Sequence, residues 1–259
     1  MTATASATDS APARVRDSSS RIRPHEIWRI VRLHTVNPSI FFLVPAMILG
    51  GAWAVTMVIA LILVGAGVPM ENTGFQYSWA VLSPQWYLIV VGVQAVSYTF
   101  PFALGFGATR RDYWIGTGIM FVLASILFAV AIATLLLIER ATGGWGIGAG
   151  MFDALWYVGA DWLTAFYTTF ALQLLVLFIG AGVTTVFMRW RMKGMMIVLF
   201  GGVAVILAII AVLTFSESWE SLGQWLSSIG VVGVFTLVLV KALAWAVAGF
   251  LVIRRATPR

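Results

Sequence analysis

The run Gly105-Phe-Gly-Ala-Thr-Arg-Arg-Asp-Tyr-Trp114 is a short polar break between two uncharged stretches, Trp86 to Leu104 and Trp114 to Ile138. Gly105 and Gly107 allow a sharp backbone turn. Arg110 and Arg111, beside Asp112, present fork-shaped donors that can pair with a partner's carboxylates. The chemistry on offer is docking. Gly107, Thr109, Arg110, Arg111, Asp112 and Tyr113 are the candidate contact residues. Standing alone, the run reads better as a topogenic loop.

A second constellation lies inside the apolar runs. Lys241 is the one charge within a span. It sits about ten residues, roughly 15 Å, from the outer end of its helix. A cation there costs about 2.5–3.5 kcal/mol on insertion scales and normally faces protein or water. Gln173 falls at nearly the same depth, and Gln94 is slightly shallower. One reading is a polar layer lining a path for an anionic or amphipathic substrate. The other is that Lys241 bonds to carbonyls or Gln side chains and only fixes helix packing.

Other chemistry is missing. There is no cysteine, so thiol catalysis and cysteine metal sites are excluded. A phosphate-binding loop needs Gly-Lys-Ser/Thr, but Lys193 precedes Gly194 and Lys241 precedes Ala242. His25 and His34 stand in the basic N-terminal segment with no ligand cluster around them. No Asp or Glu lies deep in a span, as ion-coupled carriers require. The expectation is no catalytic residue, no metal site and no cofactor in this chain.

The elements that carry these residues follow from hydropathy. The chain has 259 residues, 61% hydrophobic and 10% charged, with a mean hydropathy of +0.96. Uncharged runs of about 20 residues define a polytopic membrane protein, and without strand-like alternation they are helices. The predicted fold is all-α, with six transmembrane helices over 40–64, 86–104, 114–138, 162–187, 195–215 and 231–253. Residues 1–20 read as a disordered cytoplasmic tail, and 21–259 as the transmembrane domain. Residues 21–36 read as a basic interfacial helix, with Ile27, Trp28, Ile30 and Val31 on one face and Arg29, Arg32 and His34 mostly off it. It is either a plain anchor or, through Trp28, Arg29 and Arg32, a hold on a cytoplasmic partner. Pro45 is expected to kink the first span. Between spans five and six, Trp219, Leu222, Trp225, Leu226 and Ile229 recur at helical spacing after Ser216, a candidate N-cap. This predicts a short outer amphipathic helix. Another is expected around 151–158.

Of 16 basic residues, all but Arg140 and Lys241 fall on one side of these spans. Glu71, Glu139, Asp153, Asp161, Glu217 and Glu220 fall on the other. Both termini are therefore expected in the cytoplasm. The net charge of +6 follows this bias and implies no nucleic-acid partner.

The chain resembles permease subunits of ABC exporters of the second type. The junction Gly105 to Tyr113 is similar to the small-residue, Ser/Thr-Arg-Arg-aromatic pattern that many bacterial members carry between spans two and three. Residues 21–36 resemble the family's connecting helix, and Ser216 to Gly230 its outer hairpin region. The ending Gly249-Phe-Leu-Val-Ile-Arg-Arg-Ala-Thr-Pro resembles the family's endings. One departure is that the outer loops are very short. The resemblance implies a coupling helix that docks on a separate ABC ATPase, which holds ATP and Mg. It implies a second permease copy or paralogue, and export of a lipid-like or amphipathic substrate across a bacterial cell membrane. High Ala, Gly, Trp and Arg content suits a high-GC bacterium such as an actinobacterium. The alternative is a non-transporting membrane scaffold that recruits cytoplasmic partners through the same basic surfaces.

Overall fold

The computed structural model describes residues 24–70 and 74–255. The expected tail, the start of the basic segment at 21–23, Glu71 and residues 256–259 lie outside the described residues. Helix α1, Pro24–Thr35, begins on a proline, with Glu26 in its first turn and Arg32 and His34 in its last. That distribution suits the helix dipole. A wide turn, Ser39–Leu43, leads into α2, Val44–Gly65, and sits directly ahead of Pro45. Next come α3, Ser83–Gly105, and α4, Arg110–Ala141. The chain ends in α5, Trp162–Phe215, and α6, Trp219–Ile253.

Five helical segments are long and apolar enough to cross a membrane: Ser39–Gly65, Phe75–Gly105, Arg110–Ala141, Trp162–Phe215 and Trp219–Ile253. No strand occurs among the described residues. The architecture is all-helical and that of a multi-pass membrane protein. Where two helices were expected, α5 runs for 54 residues, with one non-helical residue, Arg191, at φ 55° and ψ −147°. A straight helix of that length would extend about 80 Å, far beyond a hydrocarbon core of about 30 Å. The break at Arg191 divides it. Helix α6 is interrupted at Gly230 (φ 64°, ψ −178°), with residues 219–229 ahead of the break. Ser216 does not cap α6. It ends α5, and its hydroxyl donates to the Val212 carbonyl.

Lipid gives helices no hydrophobic reason to associate, so close packing holds the bundle together. Helices α3 and α5 meet backbone to backbone. A Cβ on Gly92 would lie 2.3 Å from the Leu177 carbonyl oxygen, and one on Gly180 2.2 Å from that of Ile89. Around this crossing lies one core, with Ile30, Phe100, Tyr113, Phe121 and Leu177 buried in it. A second core, with Val81, Ile132, Met151, Phe152 and Tyr157, closes the opposite end. Residues 196–212, beyond the break in α5, are exposed around their whole circumference.

The helix expected around 151–158 does not form. The loop makes a turn at Gly144–Gly148 and a single tight turn at Leu155–Tyr157. The reason is that the backbone N–H groups of Met151, Phe152 and Asp153 are committed to the Glu139 carboxylate.

Candidate functional site

The turn between α3 and α4 is built from local cap chemistry. Gly107 has φ +82°. Its N–H donates to Leu104 O, and that of Ala108 donates to Ala103 O, each at 3.0 Å. This is the Schellman closure, which needs a left-handed residue where Gly107 stands. Thr109 then caps α4, its hydroxyl oxygen accepting from the Asp112 N–H at 3.1 Å. The candidate contact residues thus separate by role. Thr109 caps the helix, Asp112 is 2% exposed and Tyr113 is fully buried. Arg110 is half-buried, and its Nη1 donates to the Arg254 carbonyl at 2.8 Å, satisfying an orphan acceptor at the end of α6. Gly107 and Arg111 face outward. So does Phe106, 70% exposed, which sequence reasoning missed.

Helix α1 docks beside this turn through Ile30 and Val31 of the expected face, but with His34 in place of Trp28. Ile30, Val31 and His34 are buried, whereas Trp28 is exposed with Arg29 and Arg32. His34 therefore belongs to the docked face, in step with Ile27 and Ile30. Gly116 on α4 makes the close approach possible: a Cβ there would meet Ile30 Cβ and Cγ2 at 2.8 Å. His34 Nδ1 donates to the Ile30 carbonyl at 2.9 Å, and Nε2 lies 3.3 Å from the Thr99 hydroxyl, which itself donates to the Ala95 carbonyl. The Tyr113 hydroxyl lies 2.9 Å from that of Thr99 and donates to the Ala95 carbonyl at 2.9 Å. Burial pushes the His34 pKa below its ordinary 6.5, partly offset by the Ile30 bond. This network ties α1 to α3 and α4.

The two candidate partner surfaces meet at one apolar cleft of about 300 Å³. Arg29, Ile30, Arg32 and Leu33 of α1 form one wall, and Ala103, Phe106 and Ala108 the other. Arg29 is held 3.1 Å from Glu26 at the rim. The cleft has room for an apolar side chain, and Glu26 lines it beside Arg29. Trp28 and Arg111 lie outside its lining.

The three residues of the expected polar layer differ in burial. Lys241 is exposed on the flank of α6, while Phe235, Ala242 and Gly249 form the buried face. Gln173 is 1% exposed with its Nε2 unpartnered, and Gln94 is half-buried. Depth along a helix was legible from residue counts, but direction around the axis was not. Gln173 instead stands level with Gln85 and Ser125. Gln85 and Gln173 each lie one heptad before the Gly92–Gly180 crossing in the sequence of their helices. Ser125 is one turn from Phe121, whose ring meets Phe178 with centroids 5.3 Å apart. Gln85 and Ser125 are also buried with unpartnered side chains.

At the other end, sequence reasoning treated Glu139, Arg140 and Asp153 only as charge markers. Glu139 is 2% exposed. Its Oε2 accepts from Trp145 Nε1 at 2.8 Å and from Met151 N at 2.9 Å. Its Oε1 accepts from Phe152 N at 3.0 Å and from Asp153 N at 2.8 Å. Arg140 grips Asp153 with Nε and Nη2 and donates to the Tyr157 and Ala160 carbonyls. These bonds seal the loop and occupy the charges that line it. The glycine run at 143, 144, 146, 148 and 150, next to Glu139-Arg140, was the signal that could have found them.

No family model, curated protein or solved structure matches the chain.

Proposed function

We propose that this chain is the permease subunit of an ATP-driven bacterial exporter, energised by a separate ATPase that seats on the cleft between α1 and the α3–α4 turn. The observation that carries the reading is the convergence of Arg29 and Arg32 of α1 with Phe106 and Ala108 of the turn around one apolar cleft. A cytoplasmic partner pressing there moves α1 and, through Gly116 and the His34 network, the start of α4. In this reading α5 counts as two spans joined at Arg191, giving six. Residues 24–35 lie on the inner leaflet, residues 219–229 form the outer helix, and both termini are cytoplasmic. ATP and Mg belong to the ATPase. A second copy or paralogue covers residues 196–212, and the substrate is lipid-like or amphipathic.

The test is co-expression with an ATPase from an adjacent reading frame that carries Gly-x-x-x-x-Gly-Lys-Ser/Thr. Arg29→Glu with Arg32→Glu and Arg111→Glu reverses charge at the docking surface and leaves the Arg110 tie intact. Capture of the ATPase should fall roughly 30-fold or more, together with substrate-stimulated hydrolysis, while membrane insertion stays normal. Undiminished capture would sink the reading. Ser18→Cys and Asp153→Cys, made singly on the cysteine-free chain, test the topology. An impermeant thiol reagent applied to intact cells should label only the second.

A further inference from the structure

We propose that the open cleft between the residues just before the α5 break and the end of α6 binds the phosphate headgroup of an anionic phospholipid. The cleft has a volume of about 430 Å³ and is lined by Arg189, Leu251, Val252, Arg254 and Arg255. Three arginines line it, and no carboxylate stands among its lining residues. Arg189 lies 4.3 Å over the Trp190 ring, and the Arg254 guanidinium 5.6 Å from that of Phe250. A guanidinium stacked on a ring keeps its in-plane donors free, the arrangement that grips a phosphate in fork geometry. The Arg254 backbone carbonyl is held by Arg110, which does not itself line the cleft. From Leu251, an exposed apolar strip runs up α6 through Val247 and Ala244 toward the middle of the span. A lipid can lay its acyl chain there while its phosphate stays on the arginines. An aqueous anion would leave that strip unused. Basic pockets between membrane helices at a membrane surface recognise headgroups in this way. The proposal needs only that this end of the bundle meets a membrane surface, so it stands or falls apart from the transport reading.

Native mass spectrometry of the delipidated full-length protein tests it. Phosphatidylglycerol and phosphatidylcholine with matched acyl chains are titrated in turn, with inorganic phosphate as a third probe. The wild type should prefer phosphatidylglycerol. Each arginine near the surface contributes roughly fivefold, so Arg189→Gln with Arg254→Gln and Arg255→Gln should lose about 100-fold in phosphatidylglycerol affinity. Arg29→Gln with Arg32→Gln and Lys193→Gln removes the same charge elsewhere and should keep the preference. If the triple cleft variant does not fold, Arg255→Gln alone should show the fivefold loss. Equal affinity for the two lipids overturns the proposal. So does equal loss in both triple variants, or binding of inorganic phosphate with no lipid preference.

Discussion

Arg110 Nη1 donates to the backbone carbonyl of Arg254 at 2.8 Å, joining the first residue of α4 to the residue that ends α6, 144 positions later. A cation at a helix N-terminus works against the dipole, but here its charge is spent at the C-terminal end of a neighbouring helix, where a cation is favoured. Arg110→Ala should lower stability by about 1 kcal/mol, because the group is half-buried and the freed carbonyl can reach solvent. Thermal unfolding in detergent is the measurement. An unchanged midpoint would show that the tie carries no stability.

Gly116 leaves room for Ile30, and a side chain at 116 removes that room. Gly116→Val should cost about 1–3 kcal/mol by overpacking and should expose α1 to protease. Ile30→Ala in the same chain should restore part of the loss, since the clash is with Ile30 Cβ and Cγ2. Limited proteolysis of the single and double variants reads this directly. Absence of any rescue would place the clash elsewhere.

His34 gives α1 docking a pH dependence with a definite sign. Burial lowers the folded pKa below the unfolded value near 6.5, so the unfolded or undocked state binds more protons in that range. Docking should therefore be undiminished above about pH 6.5 and weaken as pH falls from there through the folded value. Modification of Ile30→Cys, on the cysteine-free chain, should accelerate across that window. In a chain that also carries His34→Gln, the dependence should flatten.

Glu139→Gln replaces a carboxylate oxygen with an NH₂ group that faces N–H donors. Four donors, from Trp145, Met151, Phe152 and Asp153, converge on the native carboxylate. The substitution should cost about 3 kcal/mol, since charge-assisted bonds are lost and a donor is left buried against donors. Loss of thermal stability together with protease cleavage between 143 and 160 is the expected pattern. Cleavage confined to α1 would contradict it.

Gln173→Met tests the buried amide. The side chain is 1% exposed with Nε2 unpartnered, so an apolar residue of similar volume should be neutral or stabilising by about 1–2 kcal/mol. A loss of that size would mean that the amide is satisfied in the folded protein.

What the sequence made legible follows the range of the forces involved. The α3–α4 turn was readable because Gly107, Thr109 and Asp112 close it with bonds spanning at most five residues. Spans were readable because desolvation acts on composition. His34 and Lys241 were harder, because the exposure of one face of an apolar helix depends on which neighbour arrives. Trp28 has the composition of a buried residue and His34 that of an exposed one, yet their places are exchanged once Gly116 admits α1. Glu139 was opaque because its partners lie 6 to 14 residues away, in a loop whose shape the carboxylate itself dictates.

The backbone contact of Gly92 and Gly180 has a mechanical corollary. With no side chains between them to act as a compliant layer, α3 and the first part of α5 behave as one stiff beam. A load applied at the α3–α4 turn is transmitted along that beam to the sealed loop at the far end with little lost to bending. Compliance is concentrated where the helix is already broken, at Arg191 and at Gly230. Residues 192–229 lie between those joints, and 196–212 among them have no buried face to stiffen them against the beam.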